Sequence, residues 1–197
     1  DHTGVHRTSG RIYKFFHGQN PVADLSSLQT ASLDSESLLR HPNAWFFRQW
    51  LRLLYEGKPI DSEVISRVCE RILKDESEKA VVRLRAMWGL HALQNLKPER
   101  YLQDPNDHLR AWAIRLLLDK QPIDTLFGPR EKALPKANPN LEKKLVSLAA
   151  GDDSALVRLT LASSLQRLPI LSRRNLGKAL AGRAEDAADH NLPMLVW

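Results

Sequence analysis

The phrase "HPNAWFFRQWLRLL", residues 41 to 54, returns without a gap as "DPNDHLRAWAIRLL", residues 104 to 117. Pro42 aligns with Pro105, Asn43 with Asn106, Leu51 with Ile114, Arg52 with Arg115, Leu53 with Leu116 and Leu54 with Leu117. A chain that writes one phrase twice is constrained to an architecture in which one supersecondary unit recurs. Each such unit leaves an apolar stripe uncovered and needs its neighbour to bury it, so the array folds together.

The apolar residues around the phrase recur at helical rather than strand spacing. From about Asp34 onward the pattern predicts helix throughout, in antiparallel pairs at about 32–56, 61–94, 97–119, 138–168 and 172–197, all within one domain covering 32–197. Asp61 and Asn138 stand at helix starts as caps, Pro139 as a first helical residue, and Gly57 with Pro59 as a stop. Residues 120–139, with four prolines, read as an insertion or long loop. Residues 1–20 differ in texture: "GRIYKFF" is rich in β-formers and predicts an extended arm, or the last strand of a sheet domain that precedes it.

A second regularity runs through the pairs. Arg110 follows Asp104 by six residues, and Arg158 follows Asp152 by six. Arg83 keeps the arginine but has Ser77 at the acid's place, and the first copy has His41 and Phe47 there and lacks both. An Asp in the turn can accept hydrogen bonds from free N–H groups at a helix start, while the Arg can bridge to a neighbouring copy's Asp. Asp104, Arg110, Asp152, Arg158 and Arg83 are therefore expected to form a structural ladder.

This pattern resembles HEAT repeats, paired helices of the armadillo-like (ARM-type) class, over residues from about 32 to 197. The resemblance implies an all-α, right-handed α-α superhelix of about four and a half pairs with a short N-terminal extended arm. More narrowly, "HRTSGRIYKFF", "LRHPNAWFFRQWLRLL" and "ADHNLPMLVW" look like the region between two catalytic parts of large dehydrogenase-like proteins of planctomycete and verrucomicrobial bacteria. In that family a sorbosone-dehydrogenase-type propeller precedes the repeats and a c-type cytochrome domain follows them. The resemblance implies that "GRIYKFF" is the propeller's closing strand, and that the chain is an extracytoplasmic spacer. Phe47 departs from the family's usual paired Arg.

Cys69 is the only cysteine, which excludes an internal disulfide, a CxxCH haem attachment and a multi-cysteine zinc site within the chain. Its place on an apolar helical stripe predicts a buried, inert thiol. His2 and His6 precede any predicted helix, and His41, His108 and His190 fall in repeat turns, so neither group reads as a metal site or general base. There is no nucleophile elbow and no Gly-rich phosphate loop. No run of apolar residues reaches the length of a membrane span, and the start at Asp1 and the closing "NLPMLVW" read as a mature or excised piece.

The function expected is thus a non-catalytic scaffold and interaction module with no cofactor, whose partners are neighbouring domains of the parent chain or another protein. Trp45, Phe46, Phe47, Arg48, Arg52, Arg85 and Arg115 form the candidate partner surface, because the arginines recur opposite the apolar stripe of the second helices. The alternative is a nucleic-acid-binding protein of the HEAT-like DNA-glycosylase kind, motivated by a formal charge of +6 and that Arg series.

Overall fold

The computed structural model describes residues 17–18, 34–57, 61–123 and 138–196. "GRIYKFF" and residues 124–137 of the Pro-rich segment lie outside the described residues, so the expected arm and the centre of the expected insertion do too. Among the described residues the regular structure is entirely helical.

In chain order the helices are α1 (Ser35–Arg40), α2 (Ala44–Tyr55), α3 (Ser62–Lys74), α4 (Ala80–Ala92), α5 (Asp107–Leu118), α6 (Pro139–Gly151), α7 (Ala155–Ser163), α8 (Ile170–Ala181) and α9 (Leu192–Val196). Short 3-10 turns cover Pro98–Tyr101, Leu165–Arg167 and Ala184–Asp186. The segment "KPERYLQ", read from sequence as the first helix of a pair, is only such a turn. Pro98 removes a backbone donor at its start, and the segment is too short to propagate a full α-helix.

The repeated phrase acts first through its asparagine. Asn43 and Asn106 each occupy an N-cap, accepting from Trp45 N at 2.9 Å and His108 N at 3.0 Å. Asp61 and Asn138 do the same for Val64 N at 3.0 Å and Leu141 N at 3.2 Å. Each such bond satisfies an N–H that the helix cannot, a contribution of about 1 kcal/mol. Gly57 closes α2 with φ of +62°, a left-handed backbone that a side chain would strain.

Helices adjacent in sequence pair as hairpins: α1 with α2, α3 with α4, the Pro98–Tyr101 turn with α5, α6 with α7, and α8 with α9. The second members also touch one another in order, α2 to α4 to α5 to α7 to α9, while α1 meets α3 and α6 meets α8 on the other side. Two layers result. One apolar cluster fills α1 to α4, with Leu38, Leu39, Trp50, Ile65, Cys69, Ile72 and Met87 fully buried. A second runs from α5 to α9, with Ile114, Leu118, Leu145, Val157, Leu161 and Leu176 at its centre. α5 joins them, giving Leu109 to the first and Ile114 to the second.

One close approach organises the first cluster. The Trp50 ring lies over Gly89 of α4, where a Cβ would collide with the Trp50 ring and stand 3.1 Å from Cys69 Sγ. The indole Nε1 donates to Ser35 Oγ at 3.0 Å, so the buried ring has its polar atom satisfied. A glycine inside a helix costs about 1 kcal/mol against alanine, and here it makes room for the largest buried side chain.

Candidate functional site

Three arginines tie successive units together through the same two-sided contact. Arg83, on α4, donates through Nη1 and Nη2 to Asp104 Oδ1 and Oδ2 at 3.2 and 2.6 Å, and through Nε to Leu73 O at 3.0 Å. Arg110, on α5, donates through Nε and Nη2 to the two oxygens of Asp152, both at 2.8 Å, and through Nη1 to Asp104 O at 2.8 Å. Arg158, on α7, reaches Asp186 through Nε and Nη2, both at 2.5 Å, and Asp152 O through Nη1 at 2.9 Å. Each guanidinium thus holds a carbonyl at the end of the preceding helix or turn and the carboxylate of the following unit's turn.

The carboxylates do a second job. Asp104 Oδ1 accepts from Asn106 N at 3.0 Å and Asp152 Oδ1 from Ser154 N at 2.9 Å, so each acid shapes the turn into the next helix. These acids and Arg83 and Arg158 are buried, and the bidentate fork uses the planar guanidinium fully. Burial works to raise the Asp152 carboxyl, but bonds from Arg110 and from Ser154 N outweigh it and hold the group below its ordinary value. Bonding to Asp152 correspondingly raises Arg110.

Asp186 completes the series, and the six-residue rule does not find it. Six residues on stands Leu192, buried rather than an arginine, so the unit accepts a clamp and extends none. A search for acids alone in the turns before α9 would have found it. The first unit is irregular at the other end. Phe47, at the arginine's place, is buried, and Arg85 of α4 lies over its ring at 5.1 Å. Arg85 Nη1 donates to Leu39 O and His41 O, both at 2.9 Å, capping the end of α1.

These contacts correct three of the expected partner-surface residues. Phe46, Phe47 and Arg85 are 9%, 5% and 9% exposed, and none is an outer-surface residue. The helical spacing placed Arg85 opposite the stripe, but α4 is flanked by α1, α2, α3 and α5, so nearly its whole circumference is buried. Trp45 is 42% exposed and packs edge-on against Phe46, with centroids 5.1 Å apart. Arg48, Arg52 and Arg115 are exposed. Arg48 returns to Ala44 O, Arg52 faces Glu56 at 3.4 Å, and Arg115 lies over the Trp112 ring at 5.0 Å. A row of rings, Phe47, Trp88 and Trp112, with centroids 5.8 and 4.7 Å apart, crosses α2, α4 and α5.

The basic residues are therefore divided. Arg83, Arg85, Arg110 and Arg158 are spent on internal acids and carbonyls and present little or no charge outward. The Cys69 thiol is fully buried, and burial pushes its pKa up to about 12, so it stays protonated and unreactive. His91 is drawn below its ordinary value by burial, with Asp119 Oδ2 3.7 Å away opposing the shift. Among the described residues, no group of His, Cys, Asp and Glu side chains is arranged to hold a metal ion. No helix among them is long and apolar enough to cross a membrane.

Two concavities lie between α6 and α8, either side of Glu142. One, of about 200 Å³, is walled by Leu118, Leu141, Leu145, Leu168 and Leu176. The other, of about 720 Å³, is open, with Val146, Ala150 and Ala179 below and Lys143, Lys178 and Arg183 around it. Comparison with protein-family models, with curated proteins and with solved structures finds no match to this chain.

Proposed function

We propose that the chain is a non-catalytic scaffold and interaction module, a HEAT-like stack of the ARM type within a multidomain, extracytoplasmic dehydrogenase-like protein. In this reading it holds a sugar-oxidising propeller and a haem domain in relative position, and influences electron transfer through geometry alone.

The observation that supports the reading is the run of three Arg–Asp clamps, from Arg83 to Asp104, Arg110 to Asp152 and Arg158 to Asp186. A clamp that fixes one unit's helix to the next unit's turn sets the rotation between units, and a run of them sets the distance between the ends of an array. Energy placed in the joints between units, rather than in a pocket, is what a spacer requires.

The test is association combined with inactivity. The chain, mixed with separately purified propeller and haem domains, is expected to co-elute with both in size-exclusion chromatography with light scattering. Alone, it is expected to reduce no dye with aldose present and to show no Soret band after incubation with haem. Sugar oxidation or native-like haem binding by the chain alone, or failure to associate with either domain, overturns the proposal.

A further inference from the structure

The open groove between α6 and α8 combines an apolar floor with cationic walls. Its floor is built from small apolar residues, Val146 and Ala150 on α6 and Ala179 on α8, and Gly182 at the end of α8 adds no side chain. With no bulk to fill it, the groove keeps about 720 Å³. Lys143 and Lys178 stand exposed on opposite walls, one from each helix. Neither forms a hydrogen bond or ion pair with another described residue, whereas the third cation of the groove, Arg183, is engaged. Arg183 donates to Ala150 O at 2.6 Å and Asp152 O at 3.1 Å and stands 2.7 Å from Glu185.

The groove's own acid is engaged as well. Glu142 accepts from Asn175 Nδ2 at 2.5 Å and Ser172 Oγ at 2.8 Å, and these bonds hold its carboxyl below the ordinary value. It bridges α6 to α8 as a fixed anion and does not neutralise the lysines. The unmet charge is therefore two amines flanking an apolar floor.

We propose that this groove binds an acidic peptide, with carboxylates on Lys143 and Lys178 and a small aliphatic side chain laid between them over Val146 and Ala179. An apolar centre with a charged rim is the anatomy of a protein interface, and complementary rim charges set orientation and encounter rate. A nucleic-acid backbone fits less well. It needs a longer stripe of cations and gains nothing from an apolar floor. The proposal rests on the scaffold reading and names one partner class for it.

The probe is a short fluorescein-labelled peptide of Glu, Asp and Leu, titrated with the full chain and followed by anisotropy. Saturable binding is expected, and its Gln and Asn counterpart is expected not to bind. Lys143→Glu combined with Lys178→Glu should weaken the acidic peptide by about tenfold or more. Ala179→Leu, which fills the floor and leaves both lysines, should do the same. Circular dichroism shows that each variant is folded, and a variant that is not is replaced by Lys178→Gln, for which a smaller loss in the same direction is expected. Absence of saturable binding, binding that none of the folded variants changes, or displacement by duplex DNA or anionic vesicles at lower concentration than by unlabelled peptide overturns the proposal. If the peptide fails while the chain still associates with the propeller and haem domains, only the groove assignment is lost.

Discussion

The junction between the first two hairpins and the three junctions after it solve one problem with different chemistry. Between α1–α2 and α3–α4 the contact is made by rings and by an arginine on carbonyls: the Phe47 and Trp88 rings pack at a tilt, and Arg85 caps the end of α1. Ion pairs there, such as Arg71 with Glu36, are exposed. At each later junction an arginine, buried at Arg83 and Arg158 and half-buried at Arg110, faces an aspartate. An aromatic contact tolerates sliding, because stacking and dispersion are weakly directional, whereas a bidentate fork accepts one register. The chain thus fixes its geometry most tightly from α4 to α9.

The comparison can be broken most forcefully at Arg158. Arg158→Ala leaves the buried Asp186 carboxylate without its partner and is expected to lower stability by about 3–5 kcal/mol, read from urea unfolding. Replacing both, Arg158→Met with Asp186→Leu, should recover most of that loss. A double variant as unstable as the single one would show that the clamp's charge is not the source of its effect.

At the first junction Phe47→Ala should cost about 3 kcal/mol, a cavity effect independent of pH and salt. Arg85→Met, which deprives two carbonyls of their donor, should cost about 1–3 kcal/mol. A pronounced salt dependence of either loss, measured by denaturant titration, would erase the distinction between the junctions.

Acid should separate the two regions further. The Asp152 carboxyl lies below its ordinary value in the folded chain, so the stability it contributes is present above that value and is lost as pH falls through the lower, folded one. Thermal midpoints followed from about pH 5 to about pH 2 should fall, and Arg110→Met should flatten that part of the curve. An unchanged profile in Arg110→Met would place the acid sensitivity elsewhere. The smallest effect is expected at the exposed pair: Glu36→Gln should change stability by less than about 1 kcal/mol, a change that added salt should mask.

Much of the helical character was legible in the chain. Asp61 and Asn138 could be read as caps because a cap depends on two or three neighbouring residues. Gly57 could be read as a stop for the same reason. Arg85 could not be placed, because its burial depends on α1 lying across α4, a contact between residues 44 and 46 positions apart. Asp186 was hidden because its partner, Arg158, lies 28 positions away and the six-residue spacing is absent from the last unit. The α6–α8 groove was hidden because Lys143 and Lys178 share nothing in sequence except their charge.

What the sequence determined by itself is local: where helices start and stop, which face of each is apolar, and that one unit recurs. These follow from backbone hydrogen-bonding limits and from the helical period, which act over a few residues. Tertiary structure alone decided which arginine meets which acid, that Gly89 must yield its space to Trp50, and that two lysines face each other across an open floor. Those outcomes depend on how helices far apart in the chain are set against one another, and burial, which gives a charge or a ring its energetic weight, exists only once they are.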